Sequence, residues 1–143
     1  MQAFEHIFDY MQTVWAMLRS FAHVIIIWNR PHPDIVAATD GRRIWIDPKL
    51  TAVERKCFLA HEAIHIRHGH DGCQSRAIER QVCLEVARFL VSFESLQEVA
   101  GWSRCPAEMA EEIGVTEQVI LDRLATLDGD QIQALWPPGE HIA

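Results

Sequence analysis

The chain of 143 residues has no long hydrophobic run. Its most apolar stretch, Val24-Ile25-Ile26-Ile27-Trp28, is bounded by His23 and falls far short of the roughly 20 residues that span a bilayer. It also lacks an excess of positive charge: 13 Lys and Arg stand against 20 Asp and Glu, a formal charge of −7. That balance disfavours a nonspecific grip on phosphate backbones or anionic membranes, which both need a positive field. A secretory leader is not expected, because Glu5, His6 and Asp9 interrupt the opening segment where a basic region followed by an apolar one would stand. These absences predict a cytoplasmic protein with no membrane partner, and they make Cys57, Cys73, Cys83 and Cys105 thiols rather than a disulfide framework. No internal repeat and no low-complexity segment is present. With 49% apolar and 23% charged residues, the chain can bury one sizeable core.

Phe4, Ile7, Phe8, Met11, Val14, Trp15 and Leu18 recur at steps of three and four, which predicts an opening amphipathic helix. A β-branched segment at 23–28 reads as a strand ended by Asn29-Arg30-Pro31-His32-Pro33. Residues 35–39 and 42–46 flank Asp40-Gly41 and read as a hairpin, so a small antiparallel sheet is expected. Thr51 with Glu54 is a capping-box pattern that starts a helix running to about His68, where Gly69 stops it. After a loop at 70–74 come a long helix over about 75–96, shorter ones at about 106–113 and 116–126, and a tail from Pro137. The class is α+β and mostly helical.

Within the helix from Thr51 lies His61-Glu62-Ala63-Ile64-His65, an H-E-x-x-H pattern. Positions i and i+4 share a helix face, so both imidazoles can hold one Zn²⁺ while Glu62, rotated to the side, serves as general base in peptide hydrolysis. Two histidines on a solvated helix face would give the same five letters. The flanking Cys57, Phe58, Leu59, Ala60 and Ile64 mark the helix as interior, however, and polar groups placed there need a metal or hydrogen bonds to satisfy them.

A catalytic zinc site takes a third protein ligand and keeps one position open. A third histidine six residues after His65 is missing, since position 71 is Asp. Asp71, Glu79 and Glu85 are the candidates. Glu79 leads on two grounds: an antiparallel pair of helices about the 69–74 loop sets it level with His65 and Glu85 below His61, and it falls within the arc of Val82, Val86, Leu90 and Phe93. His68 and His70 read as surface residues or as hydrogen-bond partners of the ligands. Cys57 and Cys83, one turn from His61 and Glu79, read as buried structural thiols rather than ligands.

Residues 109–124 have helix-turn-helix spacing with Gly114 in the turn. Residues 106–128 carry six carboxylates against Arg123 alone, a net −5 that repels phosphates, so a helical hairpin that packs on the core or docks a protein is expected rather than direct nucleic-acid binding.

The chain resembles the ImmA/IrrE family of metallopeptidases, in particular the short versions of actinobacteria and their phages. The likeness rests on the hairpin from Ala38 to Asp47, the segment from Leu50 to Glu62, the helix beginning Ile78-Glu79-Arg80, and the order of elements throughout. It implies a zincin-like metallopeptidase domain over 1–103, a helix-turn-helix-like helical extension over 104–136 and a tail over 137–143. It makes His61, His65 and Glu79 the metal ligands, Zn²⁺ the cofactor and Glu62 the base. The implied activity is endopeptidase cleavage or inactivation of a helix-turn-helix transcriptional repressor of phage, mobile-element or stress-response genes. A protein that holds the metal as a staple and inactivates the repressor by binding alone is the competing reading.

Overall fold

A computed structural model describes residues 13–139. The part of the opening apolar stripe at Phe4, Ile7, Phe8 and Met11 lies outside the described residues, as does the tail beyond 139. Helix α1 is described over 13–20, where Val14 and Leu18 are buried and Trp15 packs against the core. The strands are β1 (Ile25–Ile27), β2 (Ala37–Thr39) and β3 (Arg43–Ile46). Six helices follow: α2 (Ala52–Arg67), α3 (Arg76–Leu90), α4 (Phe93–Ala100), α5 (Pro106–Ile113), α6 (Glu117–Ala125) and α7 (Gly129–Leu135). The architecture is α+β and mostly helical, and among the described residues no helix is long and apolar enough to cross a membrane.

The sheet is mixed, not antiparallel. β2 and β3 form the expected hairpin, with Ala37 opposite Ile46, but β1 joins the far side of β3 and runs parallel to it, giving the order β1-β3-β2. The breaker at 29–33 does not turn the chain back onto its neighbour; the segment leading to β2 crosses instead to the other edge. Asp40 fixes the hairpin turn: its Oδ1 accepts the Arg42 and Arg43 amides at 3.0 and 2.8 Å, and these backbone bonds, helped by the Arg43 guanidinium, lower its pKa to about 2. Gly41 supplies the positive φ of +91°. Ile44 and Ile46 turn into the core, while the β1 residue Ile25 stays exposed.

The expected helix over 75–96 is two helices. Val91 is extended, and Ser92 caps α4 by accepting the Ser95 amide. The break is stabilised from outside, because Arg123 on α6 donates to the Val91 carbonyl at 2.7 Å. Helix α7 was not expected over 129–135, although Asp128 and Gln131 form a complete capping box ahead of it. Its Leu135 joins a core that is continuous from Val14 in α1 through α6, so residues 104–136 share one interior with the rest of the chain.

Ser92→Ala removes the cap at the α3–α4 break. It should lower unfolding free energy by about 1 kcal/mol in urea titration, the usual cost of a lost serine cap. An unchanged midpoint would mean that Arg123 alone holds the break.

Candidate metal centre

Helix α2 begins with the capping box that the sequence predicts: Thr51 Oγ1 accepts the Glu54 amide at 3.2 Å, and Glu54 accepts the Thr51 amide at 3.1 Å. The helix then runs through the interior, with Leu59, Ala60, Ala63 and Ile64 fully buried. Its end is a Schellman turn. Gly69, at φ +73°, donates to the Ile66 carbonyl and His70 donates to the His65 carbonyl, at 2.9 and 3.0 Å. This turn folds His70 back beside His65.

Helix α3 starts at Ser75, whose side chain accepts the Ile78 amide, and it presents Glu79 one turn in. The three side chains converge. His61 Nε2 and His65 Nε2 are 3.1 Å apart, and Glu79 Oε2 lies 3.2 Å from each. Ligand atoms on a tetrahedral zinc with bonds of about 2.0–2.1 Å are separated by about 3.3 Å, so this triangle has the size that the ion requires. Burial depresses the pKa of both imidazoles and so favours the neutral form that binds metal. The donor set therefore fits a divalent cation in geometry and in protonation.

A second layer of contacts orients the first. His65 Nδ1 is 2.9 Å from His70 Nδ1. Were a cation held at Nε2, the His65 proton would sit on Nδ1, where it would donate to His70 and fix the ring. His68 stacks over His70 with ring centroids 5.7 Å apart, and its Nε2 meets Glu85 at 2.6 Å. Of the two histidines after the motif, His70 thus contacts His65 directly and His68 belongs to a surface ion pair.

Glu85 also binds Arg67, at the carboxy-terminal end of α2. It does not sit below His61, so α2 and α3 are not a simple antiparallel hairpin. Glu85 therefore lies off the level that reflection about the loop predicts, while Glu79 is on the face that the apolar stripe predicts. Asp71 lies against Gly41 of the hairpin turn, away from the triangle. Cys57 and Cys83 stand outside the triangle too and line a neighbouring cavity.

Glu62 is 6% exposed and, with His61, borders that cavity of about 380 Å³. Burial, assisted by the Glu79 charge, pushes its pKa up to about 7. A carboxyl poised there can accept and return a proton near neutral pH. Beside it, Arg80 on α3 donates to the buried Asp122 on α6 at 2.6 Å, and Gln118 donates to the same oxygen at 3.0 Å. Neither Arg80 nor Asp122 stood out in the sequence, and a contact across 42 residues has no local signal. No protein-family model, curated protein or solved structure matches the chain.

Two measurements check the centre. Purified protein should carry about one zinc per chain, and His61→Ala, His65→Ala or Glu79→Ala should each lose it in metal analysis; full occupancy in all three would remove the site from this place. In a chelator competition His70→Ala should weaken zinc affinity by about 10–100-fold, whereas Glu85→Ala should leave it within a few-fold. Equal losses in the two proteins would contradict the orienting role of His70.

Proposed function

We propose that the chain is a zinc endopeptidase of the ImmA/IrrE type that cuts or inactivates a transcriptional repressor. The observation that carries the reading is the triangle of His61 Nε2, His65 Nε2 and Glu79 Oε2, with Glu62 next to it at the mouth of a cavity. Two imidazoles and a carboxylate suit Zn²⁺ and also accept Mn²⁺ or Fe²⁺. Bound there, such a cation supplies Lewis-acid polarisation of a carbonyl and acidifies water. Positive charge at the triangle favours the carboxylate form of Glu62. Glu62 then takes a proton from the attacking water and delivers it to the leaving amide nitrogen.

The edge of the sheet suits an extended substrate. Val36 directs its carbonyl to Asp47 and the Asp40 amide faces Arg43, so by alternation the amide and carbonyl of Ala37 point away from β3. Ala37 also lines the cavity with His61 and Glu62. A peptide strand added at this edge would bring its own amides to the triangle.

The resemblance in the hairpin, the H-E-x-x-H helix and the Glu79 helix supports a zincin-like arrangement, with a helix-turn-helix-like pair about Gly114. It also supports a helix-turn-helix repressor as the protein substrate, which would place the reaction in the cytoplasm of a bacterial host. Helix α6 has Val119, Ile120 and Asp122 buried, and its surroundings are acidic, which argues against direct nucleic-acid binding.

Glu62→Gln keeps the side-chain shape and removes the base. Cleavage of a co-expressed repressor, or of a proteome-derived peptide library read by mass spectrometry, should fall by at least about 10²–10⁴-fold while zinc content and folding persist. Full repressor inactivation by Glu62→Gln with the repressor intact on immunoblot would instead identify a binding protein that uses the metal as a staple.

A further inference from the structure

The cavity beside Glu62 is walled by four separate parts of the chain. Ile35 and Ala37 come from the segment entering β2 and its first residue, Phe58 from α2, Val86 from α3 and Val119 from α6. Cys57 and Cys83 add to the lining, and burial raises both thiol pKa values, so they remain neutral and act as small apolar groups. Thr116 and Gln118 also border the cavity, as does Asp34, whose carboxylate is turned to solvent at the rim. Asp122 also reaches the wall, but its charge is engaged by Arg80. A charged side chain entering here would lose hydration without gaining a counter-charge from Asp122. At the rim, Ile35 is 47% exposed and extends the apolar surface outward. The volume of about 380 Å³ is at the small end for ligand pockets, enough for one bulky side chain and its backbone rather than an organic cofactor of nucleotide size.

We propose that this cavity is a specificity subsite that takes a single leucine, methionine or phenylalanine side chain from an extended peptide whose neighbouring amide lies at the His61, His65 and Glu79 group. The inference rests on the peptidase reading and adds the class of residue recognised. It also gives the carboxy-terminal helices a part in recognition, since Val119 and Thr116 form one wall. The occupant follows from three features: the apolar lining, the single-side-chain volume, and the continuity of the cavity with the Ala37 edge, where an extended backbone can pair.

The test uses full-length, zinc-loaded protein and hydroxamate probes. Acetohydroxamic acid reports the metal group alone. Two series of peptide hydroxamates, extending from either side of the metal-binding head, carry Gly, Leu, Phe, Asp or Lys next to it. In one series Leu and Phe should bind about 10–100-fold more tightly than Gly, the gain expected for burying a side chain of that size, and Asp and Lys no more tightly than Gly. Val119→Trp, which fills the cavity, should bring the Leu-to-Gly ratio to about 1. Should that protein fail to fold, Ile35→Asp at the exposed rim should lower the same ratio. Equal binding of Gly, Leu and Phe in both series, a preference for Asp or Lys, or a Leu preference that survives the variants would overturn the subsite and leave the peptidase reading standing. If acetohydroxamic acid does not bind the zinc-loaded protein, the metal reading itself fails and the subsite with it.

Discussion

Removing His61, Glu62 and His65 from water is the constraint on which the arrangement of the chain depends. These three polar side chains stand on a helix whose neighbouring residues Leu59, Ala60, Ala63 and Ile64 are closed into the core. Burial alone would leave two imidazoles and a carboxyl without adequate partners, a cost of several kcal/mol. The fold answers with groups that follow the carboxy-terminal end of α2 in the chain. Glu79 arrives from α3 against both imidazoles, and the Schellman turn at Gly69 returns His70 to the far side of His65. Among the described residues Glu62 receives no such partner, and its burial raises its pKa.

The same arrangement explains why the triangle is tight before any ion is considered. His61 and His65 are fixed one turn apart by the helix, and the edge contact of their rings at 4.8 Å leaves both Nε2 atoms facing one point. Only the Glu79 corner of the triangle depends on tertiary packing. Its position is held by Ser75 at the start of α3 and by the neighbouring Arg80, which anchors that turn to Asp122 on α6. A shift of α3 would therefore open the triangle on the Glu79 side and leave the histidine pair intact.

Features with a local physical cause were legible in the sequence. The Thr51–Glu54 capping box, the Asp40-Gly41 turn, the Gly69 stop and the histidine pair each arise within a few residues, and the structure has them where the pattern puts them. Glu79 was legible because a carboxylate interrupts an apolar stripe. The parallel pairing of β1 with β3 was not, since strand neighbours in sequence need not be neighbours in the sheet. The α3–α4 break was hidden because apolar residues continue through it and its carbonyl is satisfied by Arg123 from 32 residues away. α7 did carry a local signal in Asp128 and Gln131, overlooked beside the proline-rich tail that follows. The cavity had none, because no wall is informative until all four meet.

The carboxy-terminal helices are tied to this centre by two cations, Lys56 in the interior and Arg80 at the surface. Lys56, fully enclosed and five residues before His61, donates from Nζ to the carbonyl of Gly114 in the α5–α6 turn. Burial depresses its pKa, and a cation at the end of α5 meets the negative pole of that helix. Arg80, next to Glu79, reaches Asp122 on α6. Each site-bearing helix is thus bonded to the same helical pair by a cation close in sequence to a site residue. Hydrophobic contact alone would fix how near α6 lies to the cavity but would specify its rotation and register poorly, whereas two directional bonds set both. The α5–α6 pair therefore has two sides: Glu108, Glu111, Glu112 and Glu117 are exposed to solvent, while Val119 and the buried Asp122 face the cavity beside Glu62.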